Sequence, residues 1–304
     1  MTKSDASFIS KSFTNLLRPV FSGWFNGSVT EQRARQENSA RLFRLPKQVR
    51  VEQVSFGGIT SEWIESPLSM NGAILYLHGG AYALGYYQSH RALVARLVTA
   101  TNTPALAVNY RLAPEDPFPA ALEDALNAYQ WLLLKGISPT RICLAGDSAG
   151  GGLAIAALVA LRDQGIPLPA GAFCFSPWLD LTMSGGTITS KSKHDPILNT
   201  PALEKFAEYY AGSHNTLEPL ISPLFADLRG LPPIQLHSGS NEILLDDSVR
   251  FCEKAIRSGV DCRIQVWDDM FHVFQMFSFL PETAESLGLV SIFVKRIFNE
   301  QATG

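Results

Sequence analysis

The 304-residue sequence has little charge, and the charge that it has is not clustered. Asp, Glu, Lys and Arg make up 17% of the residues, and the formal net charge is −3 at pH 7. A surface that binds nucleic acid needs a dense basic patch. The scattered Lys and Arg residues therefore argue against a nucleic-acid partner.

Long apolar runs are also missing. Residues 1–27 have no cationic start followed by a continuous apolar stretch, so they resemble neither a secretory signal nor a transmembrane helix. Apolar residues recur there at helical spacing: Phe8, Ile9, Phe13, Leu16, Leu17, Val20, Phe21 and Trp24. Because the polar face lacks dense Lys and Arg, we expect a helix packed on its own protein. The protein is predicted to be cytoplasmic, without stable membrane insertion.

Cysteine is scarce, and its spacing fits no metal site. The four cysteines lie inside apolar segments: Cys143, Cys174, Cys252 and Cys262. We expect them to be small buried thiols in a reducing compartment rather than disulfides or metal ligands.

From residue 49 onward, strand patterns alternate with helix patterns. Two alternating segments, 49–56 and 59–65, flank a Gly-Gly pair and predict a β-hairpin. Apolar runs predict six more strands at 73–77, 103–109, 141–145, 170–175, 234–237 and 262–267. Helical patterns lie between most of them, at 120–134, 149–162 and 246–257. The pattern predicts an α/β protein whose eight-stranded, mostly parallel sheet is covered by helices on both faces.

Residues 181–219 interrupt this alternation. They contain no strand pattern, and their only regular feature is a short helical pattern at 202–210. An irregular insertion of this length is more often a lid or another functional excursion than a plain loop.

Residues 146–150 form the only Gly-x-Ser-x-Gly sequence in the chain. An apolar strand, 142–145, leads into it, and a helix rich in small residues, 151–161, follows it. A sharp strand-to-helix turn exposes the serine hydroxyl in a strained conformation, so the positions two residues away must lack bulk. This context predicts Ser148 as a nucleophile at a helix N-terminus. A phosphate-binding turn is disfavoured because it would need more glycine and a lysine.

A serine nucleophile needs a general base that is oriented by an acid. In the fold that carries this turn, the chain order is Ser, acid, His. Of the six histidines, only His272 lies beyond both Ser148 and a carboxylate that follows the next strand. Glu242, in the loop after strand 234–237, is favoured as the acid. The alternative, Asp246, has the position of a first-turn helix residue.

The segment HGGAY follows strand 73–77, where this fold supplies N–H donors for an oxyanion. Glycine lets the backbone approach the substrate oxygen, and the residue after the nucleophile adds another donor. The expected donors are Gly79, Gly80, Ala81 and Ala149. We expect His78 to be a structural hydrogen-bonding residue of this loop rather than a catalytic base.

Together these motifs resemble those of the hormone-sensitive-lipase-like esterases, also called bacterial lipolytic family IV, of the α/β-hydrolase superfamily. The matching segments, in the family's order, are HGGAY (78–82), NYRLAPEDPFPAAL (109–122), GDSAGG (146–151), SPWLDL (176–181), EILLD (242–246) and FH (271–272). Two positions depart from the pattern. Ala81 replaces the fourth residue of the common HGGG, and Glu242 replaces the first aspartate of D-x-L-x-D. Backbone donors tolerate a methyl group, and a glutamate can serve as the acid.

The resemblance implies a catalytic α/β-hydrolase body, 49–180 and 220–304, with a helical cap formed by 1–48 and 181–219. It also implies a carboxylesterase that hydrolyses short- to medium-chain acyl esters of small molecules through an acyl-enzyme intermediate. No metal or organic cofactor is expected. A homodimer through the edge strand 262–267 is a further expectation.

Aromatic residues near the motifs are candidates for an acyl pocket: Tyr82, Trp178, Phe271 and Phe274, with Phe13, Phe21 and Trp24 of the cap. Three alternative functions remain at this stage. A ligand receptor on the same fold is disfavoured because related plant receptors have lost the histidine that is present here as His272. The triad does not exclude an amidase or peptidase. A long-chain lipase is disfavoured because no large lipid-docking surface is apparent.

Overall fold

The computed structural model describes residues 2–4, 7, 10, 13, 14, 17, 19, 21 and 23–300. From the apolar stripe near the N-terminus, Phe8, Ile9, Leu16 and Val20 lie outside the described residues. The stripe residues Phe13, Leu17 and Phe21 are helical, as their spacing predicts. They pack against a small apolar cluster that includes Trp267 and Phe271.

In the described part of the chain, a nine-stranded sheet forms the centre of the molecule. Its strands are β1 (Thr2–Ser4), β2 (Arg50–Phe56), β3 (Ile59–Glu65), β4 (Ala73–Leu77), β5 (Ala105–Val108), β6 (Ile142–Asp147), β7 (Gly171–Phe175), β8 (Ile234–Gly239) and β9 (Cys262–Trp267). Their order across the sheet is β1-β9-β8-β7-β6-β4-β5-β3-β2. Only the β2–β3 and β3–β5 pairs are antiparallel. The predicted eight-stranded, mostly parallel sheet is confirmed, and β1 is added to it.

Helices connect the strands and cover both faces of the sheet. They are α1 (Val29–Ala40), α2 (Gln88–Thr101), α3 (Ala120–Leu134), α4 (Ala149–Asp163), α5 (Thr187–Ser190), α6 (Thr200–Ala211), α7 (Leu245–Arg257) and α8 (Pro281–Glu300). Short 3₁₀ helices span Pro139–Arg141, Pro223–Phe225 and Phe274–Met276.

The alternation of side chains along β4 separates two layers of core. Leu75 and Leu77 belong to the cluster that contains α3 and α4, whereas Ile74 and Tyr76 belong to the cluster that contains α2 and α8. Successive residues of a strand point to opposite faces, so a strand that is apolar throughout is buried between two helical layers. The continuous apolar pattern of β4 has this cause.

Helix α1 is fixed at its start and along one face. Ser28 and Glu31 form a capping box, in which each side chain accepts the other residue's backbone N–H. Arg33 donates to the carbonyl oxygens of Ala83 at 2.8 Å and Ala113 at 3.0 Å. These bonds hold α1 against the turn that follows β4.

The two ends of segment 181–219 lie side by side. The N–H of Leu181 donates to Ser222 Oγ at 2.8 Å, and the N–H of Leu224 donates to the Leu179 carbonyl at 3.0 Å. Between these ends, α6 buries Tyr210 in the same cluster as α3 and α4. The segment therefore shares its core with the sheet rather than forming a separate one.

The outer edge of β9 is partly occupied. β1 pairs in parallel with Gln265, Val266 and Trp267. This corrects the assumption behind the homodimer prediction, in which 262–267 was an open edge strand. The pairing of β1 takes up backbone groups that a second copy would need along that half of β9.

Within the described residues, no helix has the length and apolarity needed to cross a lipid bilayer. All four cysteines are buried free thiols, as their apolar surroundings predict.

Candidate active site

Ser148 occupies the sharp turn between β6 and α4. Its backbone has φ 52° and ψ −123°, a region that costs a non-glycine residue on the order of 1–3 kcal/mol. The flanking glycines are required by the neighbouring strand β4. A Cβ on Gly146 would lie 2.7 Å from the Leu77 carbonyl oxygen, and one on Gly150 would overlap the carbonyl oxygens of Leu77 and His78. The Gly-x-Ser-x-Gly spacing therefore follows from close packing around this turn.

The structure brings Ser148, His272 and Glu242 together at the carboxyl ends of the parallel strands. His272 follows β9, and Glu242 follows β8. The Ser148 hydroxyl lies 2.9 Å from His272 Nε2, and His272 Nδ1 lies 2.7 Å from Glu242 Oε2. All three residues are buried, with Ser148 8% exposed and His272 5% exposed.

The partners of Glu242 fix which imidazole nitrogen carries a proton. Its Oε1 accepts the N–H of Gly239 at 2.8 Å, and its Oε2 faces His272 Nδ1. A carboxylate can only accept, so Nδ1–H donates to it, and Nε2 is left to accept the Ser148 hydroxyl proton. The alternative acid, Asp246, accepts the N–H of Thr187 at 3.0 Å instead. Glu242, and not Asp246, contacts His272.

The turn after β4 presents backbone N–H groups close to Ser148. Gly80 has φ 112° and Ala81 has φ 51°, and both residues line the same cavity as Ser148. In the described residues, no hydrogen bond uses the N–H of Gly80, Ala81 or Ala149. These three predicted donors are therefore available to an oxyanion.

Gly79 departs from its predicted role. Its N–H donates to Asp147 Oδ1 at 3.0 Å, which corrects the prediction that it is an oxyanion donor. Asp147 also accepts the Tyr76 hydroxyl proton at 2.7 Å, and burial raises the pKa of its carboxyl group. A Cβ on Gly79 would overlap the Asp147 carboxylate. Because Gly79 has no side chain, the turn after β4 can pack directly against the Asp147 carboxylate.

His78 has the structural role that the sequence predicts. Its Nδ1–H donates to the Gly79 carbonyl at 2.6 Å, and its ring stacks on Tyr110 with centroids 4.2 Å apart. Burial lowers the pKa of His78 to about 3, so the ring is neutral. Burial likewise lowers the pKa of His90 to about 4 and that of His237 to about 3. Across the described chain, His272 is the histidine that contacts the Ser148 hydroxyl.

A cavity of about 380 Å³ opens over Ser148 and His272. Its wall is largely apolar: Phe13, Leu17, Phe21, Trp24, Phe25, Leu42, Phe43, Leu84, Ile197, Leu198, Leu203, Val273, Met276 and Phe277. Phe13, Phe21 and Trp24 line it, in agreement with their proposed place in the acyl pocket. The helical stripe at 13, 17 and 21 was the sequence signal for this wall. No motif pointed to Phe43 or Phe277.

Four predicted pocket residues do not line this cavity. Tyr82 stacks on Tyr210 with centroids 3.6 Å apart, and Trp178 is fully buried in the core around α4. Phe271 is fully buried in the cluster with Trp267, behind the cavity wall, and Phe274 is buried in the same cluster. Proximity in sequence to the motifs misled the prediction, because these side chains point away from Ser148 into the core.

The residues that the structure describes contain no group of three or more His, Cys, Asp or Glu side chains that could hold a metal ion.

Comparison with known proteins agrees with this geometry. A family model described as alpha/beta hydrolase fold matches residues 74–276. An acetyl-hydrolase from Streptomyces hygroscopicus is 41% identical over 276 residues, which cover 90% of this chain and 92% of the relative. An esterase from Acinetobacter venetianus is 38% identical over 255 residues, which cover 83% and 84%. The crystal structure of an esterase from the bacterial hormone-sensitive lipase (HSL) family matches with a TM-score of 0.93 at 38% identity, covering 96% of this chain and 99% of that chain.

These matches define the class of the protein. The chain belongs to the α/β-hydrolase family and, within it, to the hormone-sensitive-lipase-like esterases. It is therefore an enzyme, a carboxylesterase, rather than a ligand receptor on the same fold.

Proposed function

We propose that this carboxylesterase hydrolyses short- to medium-chain acyl esters of small molecules through a Ser148–His272–Glu242 triad and an acyl-enzyme intermediate. One observation carries the proposal. A continuous hydrogen-bonded chain runs from Glu242 through His272 to the Ser148 hydroxyl, at the wall of an apolar cavity.

In the first half-reaction, the Ser148 hydroxyl gives its proton to His272 Nε2 while Oγ attacks the ester carbonyl carbon. Glu242 keeps the proton of Nδ1 in place and stabilises the imidazolium that forms. The carbonyl oxygen becomes negative, and the N–H groups of Gly80, Ala81 and Ala149 stabilise it. The tetrahedral intermediate collapses, and His272 protonates the leaving alcohol.

In the second half-reaction, water replaces the alcohol. His272 takes a proton from the water, whose oxygen attacks the acyl carbon on Ser148. The same backbone N–H groups stabilise the second oxyanion. Collapse releases the carboxylic acid, and the proton returns from His272 to Ser148 Oγ.

The acyl preference rests on the cavity. Its volume of about 380 Å³ is near the lower end of typical ligand pockets, and its wall is apolar. Each methylene buried there contributes about 0.8 kcal/mol to binding until the cavity is full. Short to medium chains therefore fit, whereas long chains extend beyond the wall.

We also propose that 1–48 and 181–219 form a cap over a body made of 49–180 and 220–304. Both cap segments contribute to the cavity wall that faces Ser148. The first supplies Phe13, Leu17 and Phe21, and the second supplies Ile197, Leu198 and Leu203. A homodimer and a cytoplasmic location remain predictions. Light scattering in solution tests the dimer.

A series of p-nitrophenyl esters from acetate to palmitate tests the proposal, with Ser148→Ala as the control. We expect turnover to peak at short or medium chains and to fall steeply at palmitate. Ser148→Ala lowers kcat by about 10⁴-fold or more. Undiminished activity of Ser148→Ala, or a maximum at palmitate, would contradict the proposal. Turnover of the matching p-nitroanilide at a similar rate would favour the amidase alternative.

A further inference from the structure

Asp195 is a second buried carboxylate beside the proposed triad, and it belongs to segment 181–219. It is 6% exposed. Its Oδ1 accepts the N–H groups of Ile197 at 2.8 Å and Leu198 at 2.9 Å, and its Oδ2 accepts the N–H of Ile243 at 2.9 Å. Burying a carboxylate is costly unless donors compensate for lost water, and three backbone N–H groups do so here.

The partners of Asp195 connect two parts of the site. Ile197 and Leu198 line the cavity, whereas Ile243 directly follows Glu242 in the acid loop. Thr187, also in segment 181–219, donates its hydroxyl proton to the Ile243 carbonyl at 2.8 Å. Segment 181–219 therefore holds both backbone polar groups of Ile243. The position of Glu242 depends on these two bonds.

Asp195 also acts on the site through its charge. Burial raises the pKa of Asp195 to about 6, and the positive form of His272 opposes this rise. The titratable side chain whose charge acts on Asp195 is His272, from the loop after β9. Glu242 lies one residue from Ile243, the backbone partner of Asp195. The hydrogen bonds described from segment 181–219 to this carboxylate come from the backbone N–H groups of Ile197 and Leu198. An ionised Asp195 is thus a second negative charge near the imidazolium that forms during the reaction.

Building on the proposed triad, we propose that Asp195 is a positioning residue, which ties the cavity wall to the Glu242 loop and places a second negative charge beside the triad. It does not touch the reacting atoms. It acts through the Ile243 backbone and through its charge, so that segment 181–219 helps to align the triad besides covering it.

Asp195→Asn tests the charge, and Thr187→Val is the matched control. In asparagine, an NH₂ group replaces one of the two carboxylate oxygens. This NH₂ group faces a backbone N–H that the carboxylate oxygen accepts, so two donors oppose each other. We expect kcat for p-nitrophenyl butyrate to fall about tenfold or more with KM changed less than threefold, because the triad is misaligned in the bound complex. The acidic midpoint of kcat/KM moves to lower pH, because the site has lost a buried negative charge near the triad. Thr187→Val removes the other bond to Ile243 and lowers kcat without moving this midpoint.

Thermal unfolding of each variant checks folding. If Asp195→Asn does not fold, Asp195→Glu replaces it. That variant keeps the charge, so we expect a lower kcat and an unchanged acidic midpoint. A normal profile for folded Asp195→Asn, or a lowered midpoint for Asp195→Glu, overturns the proposal for Asp195. Ser148→Ala is assayed in parallel, and only its continued activity would overturn the triad as well.

Discussion

At the scale of single residues, backbone strain is concentrated where the ester carbonyl would lie. Ser148, Ala81 and Tyr82 all have φ between 51° and 59°, a region that L-residues rarely adopt. Such conformations persist only where the surrounding structure holds them, and they cluster at functional sites. Here they turn the Ser148 hydroxyl and the N–H groups of Gly80 and Ala81 toward one cavity.

Ala81 is one of these strained residues and departs from the HGGG pattern, so Ala81→Gly tests this strain. Glycine relieves a left-handed conformation that costs roughly 1–2 kcal/mol, but it adds entropy to the unfolded chain. We expect a net gain of up to about 1 kcal/mol in the free energy of unfolding, measured by urea titration. The backbone donor is kept, so kcat changes little.

Ala83→Gly is the control for this substitution. Ala83 is also buried in the same turn but is not among the positive-φ residues. Glycine there only adds entropy to the unfolded chain and destabilises by about 1 kcal/mol. If the two substitutions destabilise the protein alike, the strain at Ala81 is not real.

At the scale of elements, the start of α4 is closely packed against the end of β4. Residues 149–161 of this helix are all buried, and small side chains let it pass between the sheet and α3. Gly150 faces the carbonyl oxygens of Leu77 and His78 at the end of β4. The elbow and the oxyanion turn are therefore packed against each other.

Gly150→Ala tests this packing. The added methyl group cannot fit without moving β4, so we expect destabilisation of about 1–3 kcal/mol or more, with loss of esterase activity as the oxyanion turn shifts. Gly288, in α8, is a helical glycine with open space around its Cβ position. Gly288→Ala should be neutral or stabilising by up to about 1 kcal/mol. Equal tolerance of both substitutions in thermal unfolding would show that the crowding is overestimated.

Sequence reasoning located most strands and the motif residues but only part of the cavity wall. The strands β3, β4 and β9 and the helix α3 have the predicted bounds, because alternating, continuous or helical apolar patterns mark them in the sequence. The strand β1 is three residues long and carries no such pattern. Tyr82 follows the oxyanion glycines, but the position of α6 decides where its ring points. The contact between Asp195 and Ile243 depends on how segment 181–219 folds back, which no local pattern encodes.

At the scale of the whole molecule, one site is assembled from distant parts of the chain. Phe13 and Phe21 come from the N-terminal helical residues, Ile197 from segment 181–219, and Ser148 and His272 from the ends of central strands. The cavity wall and the reacting groups thus rest on different layers. This arrangement lets the wall determine which ester binds while the sheet holds the chemistry fixed.

The most direct test of the account is covalent labelling of the nucleophile. The protein is treated with an equimolar fluorophosphonate, and the intact mass and the modified peptide are determined by mass spectrometry. We expect one adduct per chain, located on Ser148, with esterase activity lost in proportion to labelling and no adduct on Ser148→Ala. An adduct on another residue that accompanies the loss of activity, or full activity after Ser148 is labelled, would contradict the central claim.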